Sequence, residues 1–157
     1  MTIRAKLREK YYYYLKKRIR LSLMSCGENL KIYGKPIIIY PERISVGDNL
    51  ELNHNSIINA TCSELIIGNN VTLSAGAQIL AATYDVGAFM IEHKRTHIYR
   101  KTVIGDNVWL GAGAIIVAGV NISGNNIIIG ANSVVTKDIA ESNVIVAGNP
   151  AKIIKRF

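Results

Sequence analysis

The chain has 157 residues, of which 49% are hydrophobic and 19% charged, so its composition is that of one globular domain and excludes a disordered chain. No apolar run reaches the roughly 18 residues that a membrane-spanning helix needs, and the first residues lack the apolar centre of a signal peptide. The formal net charge is +8, and Cys26 and Cys62 form no metal or redox motif, which favours a cytoplasmic protein with free thiols.

The first predicted element is a basic helix over residues 2–24. Leu7, Tyr11 and Leu15 fall near helical spacing, and this range contains eight lysines and arginines but one acidic residue. Tyrosine rings beside cations suit a membrane interface, whereas an apolar stripe suits packing on the rest of the fold. Both roles stay open, and membrane contact would place the protein peripherally at the inner face of the membrane.

A six-residue repeat dominates the chain from about residue 44. Its blocks begin with an aliphatic residue and glycine, as in VGDNLE at 46–51, IGNNVT at 67–72 and IGDNVW at 104–109. Each block is expected to form a short strand and a turn, because Gly, Asn and Asp tolerate turn backbone. Three blocks make one triangular coil, and stacked coils bury a continuous aliphatic column. The sequence therefore predicts an all-β solenoid domain over residues 28–157, preceded by a helical segment over 1–27.

The six-residue register breaks in three places. Thr61–Glu64 interrupts it, and the step from residue 122 to 129 is one residue too long, which predicts a bulge or an extra turn residue at Ile127–Ile128. The longest break, 85–102, is too polar and irregular for a coil. Because a long excursion from a rigid scaffold is usually functional, we expect this loop to shape the site.

The chain resembles the hexapeptide-repeat acetyltransferases in three C-terminal segments, TVIGDNVWLGAGAIIVAGVNIS, IIIGANSVVTKDI and the tail VIVAGNPAKIIKRF, which includes residues 146–157. The resemblance extends over roughly residues 30–157. It implies a left-handed parallel β-helix that assembles as a homotrimer, with active sites between neighbouring prisms. It further implies acetyl-CoA as the donor and a sugar or small-molecule hydroxyl as the acceptor, in surface polysaccharide biosynthesis.

Acyl transfer to a hydroxyl needs a base, and histidine titrates near neutral pH. His97 lies late in the excursion, as does the base of the serine acetyltransferases and some polysaccharide O-acetyltransferases that the chain resembles. Asp85 occupies the place where many sugar acetyltransferases carry their histidine. We therefore predict His97 as general base, oriented by Asp85 or Glu92, with His54 as the second candidate and His93 as a weaker one.

The resemblance also implies the binding residues. Asn53, His54 and Asn55 would line the acceptor pocket together with Glu92 of the excursion. The backbone of Gly111, Gly113 and Ala114 would line the pantetheine tunnel and supply an oxyanion donor, although both glycines also suit tight turns. The remaining predicted CoA contacts are Ala131, Thr136 and Lys137, with Lys152, Lys155 and Arg156 against the phosphates.

Two other functions use the same solenoid. The γ-type carbonic anhydrases hold zinc with three histidines, and this chain has His54, His93 and His97. A non-catalytic scaffold is the second alternative. The acetyltransferase interpretation predicts that the protein binds no metal. The basic helix contains no known nucleic-acid-binding motif, so we expect no nucleic-acid partner.

Overall fold

A computed structural model describes residues 2–157 and shows a parallel β-solenoid that follows one N-terminal helix, which confirms the predicted fold. Met1, the first residue of the predicted segment 1–27, lies outside the described residues. The first solenoid strand begins at Ser25, three residues before the predicted start of the solenoid domain.

Helix α1 spans Ile3–Ser22, close to the predicted range. Leu15 and Ile19 are buried, and the helix contacts the first coil and the turn that follows it. Leu7 and Tyr11, by contrast, are exposed. The C-terminal half of α1 therefore packs on the solenoid, and its N-terminal half is open to solvent.

The solenoid consists of stacked coils, each of which crosses three faces in the order A, B, C. Coil 1 contains β1 (Ser25–Cys26), β2 (Lys31–Ile32) and β3 (Ile37–Ile39), and a 3-10 turn at Pro41–Arg43 leads to coil 2. Coil 2 contains β4 (Ile44–Val46), β5 (Glu51–Leu52) and β6 (Ile57–Asn59). Coil 3 contains β7 (Leu65–Ile67), β8 (Thr72–Leu73) and β9 (Gln78–Leu80).

An excursion then interrupts the stack with β10 (Thr83–Tyr84), α2 (Val86–Ile91) and β11 (His97–Ile98). Coil 4 contains β12 (Thr102–Ile104), β13 (Val108–Leu110) and β14 (Ile115–Ile116). Coil 5 contains β15 (Ile127–Ile129) and β16 (Val134–Val135), and coil 6 contains β17 (Val144–Gly148), followed by β18 (Ala151–Arg156). In coils 5 and 6, face A is reduced to the single bridging residues Ile122 and Ile139.

Matching strands of successive coils pair in parallel and form the three faces. The turns that join the faces are here called the A–B, B–C and C–A edges. Inside, Leu52, Leu73 and Leu110 are register partners on face B, and all three are fully buried. Burying one such side chain contributes about 1.5–3 kcal/mol, so these aliphatic columns hold the coils together.

The A–B edge explains why glycine is followed by Asp or Asn in the repeat. The Asn69 N–H donates to Asp106 Oδ1 at 2.6 Å, and the Asp106 N–H donates to Asn125 Oδ1 at 2.8 Å. Each of these side chains occupies the space in which a Cβ on the glycine of the preceding coil would lie. A Cβ on Gly68, for example, would press on the Asp106 carboxylate and lie 2.8 Å from the Gly105 carbonyl oxygen.

The asparagine that follows in the repeat has a different role. Asn70 and Asn107 adopt positive φ angles of 54° and 53°, a conformation that asparagine tolerates better than most residues. The Asn49 side-chain amide donates to Asn70 Oδ1 at 2.8 Å, so these asparagines also form a ladder between coils. The repeat thus encodes both the turn and the contact between neighbouring coils.

Two of the predicted register breaks need correction. Register pairs Ile104 with Ile122 and Val108 with Ile127, so the extra residue lies in the edge turn at 123–126. Of the two alternatives predicted there, the extra turn residue is present but lies before Ile127, and the bulge is wrong because β15 pairs regularly with both neighbours. The excursion leaves the solenoid after β9, earlier than expected, and it is an antiparallel two-stranded ribbon with a helix instead of an irregular loop.

Candidate active site

His97 lies on the ribbon of the excursion, directly opposite Tyr84. The imidazole and phenol rings are tilted by 31°, with their centroids 4.5 Å apart. His97 Nδ1 is buried and has no hydrogen-bond partner among residues 2–157, which leaves Nε2 as the nitrogen open to a reactant. The ribbon therefore holds an imidazole with one protected nitrogen and one accessible nitrogen.

Neither of the predicted orienting carboxylates forms a hydrogen bond or an ion pair with His97 within the described chain. Asp85 caps α2, since its Oδ1 accepts a hydrogen bond from the Ala88 N–H at 2.9 Å. Glu92 forms an ion pair with Lys94 at 3.0 Å. Tyr84, which sequence reasoning missed, is the side chain that packs on the imidazole, and Asp85 supports the ribbon by holding α2.

The predicted acceptor and pantetheine residues share the B–C edge. His54 of coil 2 accepts a backbone hydrogen bond from Gly76 at 2.9 Å, and Ala75 in turn accepts one from Gly113 at 2.9 Å. One further coil along, the Ala112 carbonyl accepts from the Asn132 N–H at 2.9 Å. The structure thus aligns the predicted residues of this edge in one column, namely Asn53, His54, Asn55, Gly111, Gly113, Ala114 and Ala131.

The backbone N–H groups of this edge are not equally free to bind a ligand. The N–H groups of Gly111, Gly113 and Ala114 already donate to carbonyl oxygens of the solenoid, at 2.8, 2.9 and 3.0 Å. The Ala114 methyl group is also fully buried. Within residues 2–157, the N–H of Ala112 has no backbone acceptor, so it is free to donate to a ligand at this edge. The repeat pattern does not distinguish these positions, because the difference depends on which carbonyl lies in the next coil.

The excursion occupies another edge. It connects face C to face A, so it leaves from the C–A edge. Gly119 lies on the same edge in coil 4, next to the Arg100 side chain of the excursion. Thr136 and Lys137 lie on this edge one coil further along. Within residues 2–157, the fold does not bring His97 together with the B–C edge. A site that contains both would take them from two chains.

The predicted phosphate contacts lie on the last strand. Lys152 and Lys155 are on β18, and the Lys155 ammonium lies 4.4 Å from the centroid of the Phe157 ring. The neighbouring Arg156 donates to Glu141 at 2.6 Å, and this hydrogen bond raises the pKa of the guanidinium. Both lysines are exposed and free of ion pairs in the part of the chain that the structure describes.

No group of three His, Cys, Asp or Glu side chains in residues 2–157 is placed to hold a metal ion. His54 lies on the B–C edge, whereas His93 and His97 lie on the excursion. No helix within the described range is both long and apolar enough to cross a membrane.

Comparison with known proteins gives concordant matches. A family model described as the hexapeptide repeat of succinyl-transferase matches residues 101–137. YJL218W, a Saccharomyces cerevisiae protein provisionally named an acetyltransferase, is 40% identical over 141 residues, which cover 88% of this chain and 69% of that protein.

Two solved structures are similar over nearly the whole chain. A maltose O-acetyltransferase from Clostridium difficile 630 is 34% identical with a TM-score of 0.81, covering 92% of this chain and 75% of that one. A galactoside acetyltransferase in complex with coenzyme A is 30% identical with a TM-score of 0.78, covering 96% of this chain and 79% of that one.

Proposed function

The chain belongs to the hexapeptide-repeat acetyltransferases, enzymes that use acetyl-CoA, and we propose that it acetylates a sugar hydroxyl in surface polysaccharide biosynthesis. The observation that carries this proposal is the accessible imidazole of His97 on the excursion. The names of the maltose and galactoside enzymes support a sugar acceptor. Acetyl-CoA supplies the acyl group as co-substrate, and the chemistry requires no metal.

In the proposed mechanism, His97 Nε2 accepts the proton of the acceptor hydroxyl as its oxygen attacks the thioester carbon. Negative charge then develops on the thioester oxygen, and the Ala112 N–H donates to it. Collapse of this intermediate breaks the C–S bond, and the proton held by His97 passes to the CoA sulfur. The new bond is an O-acetyl ester, and the second product is free CoA.

We propose that two neighbouring chains of a homotrimer complete each site. His97 and the B–C edge lie on different edges of one chain, so a second chain is the source of the missing half. The outward column of face C supports such an assembly, because four of its five side chains are aliphatic and only Gln78 is polar; the aliphatic ones are Ile37, Ile57, Ile115 and Val134. CoA would then lie between the chains, with Lys137, Lys152 and Lys155 near its phosphates.

Incubation of the purified protein with acetyl-CoA and a panel of sugars tests the function. We expect release of CoA thiol that depends on the sugar, together with a product heavier by one acetyl group. Release of that acetyl group by mild alkali would identify an ester instead of an amide. Thiol release at the rate of the protein-free control with every sugar would count against the proposal.

The N-terminal half of α1 is proposed to contact the anionic inner surface of a membrane. It combines exposed Leu7 and Tyr11 with basic residues, and each basic residue near such a surface contributes about 1 kcal/mol. Deletion of residues 2–11 spares the buried Leu15 and Ile19, so the solenoid should remain folded. We expect binding to phosphatidylglycerol vesicles to weaken about tenfold or more in a sedimentation assay. Unchanged binding after this deletion would disprove the contact.

A further inference from the structure

A groove between α1 and coil 1 combines two cations with aromatic and apolar walls. Arg18 and Lys35 line both of two adjoining cavities, with volumes of about 280 and 270 Å³. Tyr11 and Tyr14 form one end of this groove, and its other end is apolar. We call it the α1 groove, and its remaining lining residues are Leu15, Ile19, Ser22, Pro36, Ile38 and Pro41.

The charge of the α1 groove favours an anionic ligand. No acidic residue lines it, and neither Arg18 nor Lys35 forms an ion pair within residues 2–157. A guanidinium and an ammonium group facing one space are well suited to phosphate oxygens. Tyrosine side chains add hydroxyl groups and flat rings, which pack against sugars or lipid chains.

The α1 groove lies next to the proposed acceptor residues. Lys35 is on the B–C edge of coil 1, where its carbonyl oxygen accepts a hydrogen bond from the Asn55 N–H at 3.1 Å. His54 packs directly against Gly34, and a Cβ on that glycine would lie 2.5 Å from the His54 Cα. Adjacent parallel strands are about 4.8 Å apart, so the groove and His54 are separated by about one coil. That spacing matches the distance between a sugar ring and the phosphate attached to it.

We propose that the acceptor is a phosphate-linked sugar, whose phosphate lies between Arg18 and Lys35 while its sugar contacts the edge at His54. This inference rests on the proposed sugar O-acetylation. The phosphate serves only as a binding group, and its ester bonds stay intact. The thioester bond of acetyl-CoA breaks, and one sugar hydroxyl becomes an acetyl ester. The phosphate can belong to a lipid carrier, a nucleotide carrier or a simple sugar phosphate.

Kinetics with matched acceptors test this inference. The acceptors are galactose, galactose 1-phosphate, a uridine-diphosphate-linked galactose and a short-chain prenyl-phosphate-linked galactose. A charged hydrogen bond contributes enough that we expect the phosphate to lower KM roughly 10- to 100-fold. The double variant Arg18→Gln/Lys35→Gln should lose this preference but still acetylate free galactose. Comparing the three linked sugars identifies the carrier, since the natural one should show the lowest KM.

The double variant Lys17→Gln/Arg20→Gln is the matched control. It removes the same charge from exposed residues of α1 that do not line the α1 groove, so it should keep the phosphate preference. Equal loss of preference in both double variants would show diffuse attraction to the basic helix and overturn the inference. Acetylation of galactose with no benefit from phosphate would also overturn it, while leaving the proposed function intact.

A binding measurement without turnover completes the test. Galactose 1-phosphate should shift the ring NMR signals of Tyr11 and Tyr14 saturably, and these shifts should be lost in the Arg18→Gln/Lys35→Gln variant. Inorganic phosphate should compete with it in the unmodified chain. If the sugar phosphate leaves the Tyr11 and Tyr14 signals unchanged, the α1 groove is not its site, whatever the activity.

Discussion

Replacing His97 with alanine is expected to lower acetyl transfer from acetyl-CoA about 10²- to 10⁴-fold, the range typical of a lost general base. The accessible Nε2 would no longer be present to accept the hydroxyl proton, although Ala112 would still contribute its N–H. The measurement is release of CoA thiol with a saturating sugar acceptor. Affinity for CoA and the thermal unfolding midpoint should change little, because His97 is on the excursion and outside the aliphatic columns.

His93 provides a matched control in the same excursion. It is exposed and has a φ of 53°, so His93→Asn keeps a residue that tolerates this backbone conformation. We expect His93→Asn to retain most of the activity. Full activity of His97→Ala would refute its assignment, and His54→Asn would then test the second candidate.

Replacing Gly68 with alanine is expected to destabilise the fold by about 2–4 kcal/mol. The added methyl group would displace the Asp106 carboxylate, which accepts the 2.6 Å hydrogen bond from the Asn69 N–H. It would also press on the Gly105 backbone, which belongs to the next coil and cannot move alone. Denaturant unfolding at one protein concentration measures the effect as a lower midpoint.

Gly87→Ala is the control for this substitution. Gly87 lies in α2 and is exposed, and the nearest neighbour of an added Cβ would be the Asp85 carboxylate at 3.2 Å. Because alanine favours helix over glycine by roughly 1 kcal/mol, we expect a small change in either direction. A Gly68→Ala protein that unfolds at the same midpoint as Gly87→Ala would show that the edge can absorb a methyl group.

Most of the solenoid was predictable because its contacts repeat. The same three chemical requirements recur in the blocks that form the A–B edge: an inward aliphatic residue, a glycine beneath a side chain of the next coil, and an asparagine at positive φ. The blocks at 46–51, 67–72 and 104–109 satisfy all three, so one block explains the others. The extra residue lies in the turn at 123–126, whereas it was predicted at the start of the following strand, β15. A seven-residue step alone does not show whether the turn or the strand contains the additional residue.

The candidate site was harder to predict because it depends on contacts between distant segments. His97 was identified from family resemblance, but its contact with Tyr84 requires the pairing of β10 with β11. The assignment of Ala112 as donor requires knowing which N–H groups the neighbouring coils leave unpaired. The α1 groove likewise depends on how α1 packs on coil 1, and no local pattern encodes that docking angle.

The two ends of the stack have a consequence for solubility. A pile of parallel coils exposes unpaired backbone at its ends, and such edges invite other chains to add to the sheet and form fibres. Here α1 covers coil 1, while β18 turns back and pairs antiparallel with β17. The outermost strand of face B thus follows Pro150 and carries Lys152 and Lys155, features that discourage a further strand from joining. The C-terminal edge of face B is therefore poorly suited to accept a strand from another molecule, even though the interior repeats like a fibre.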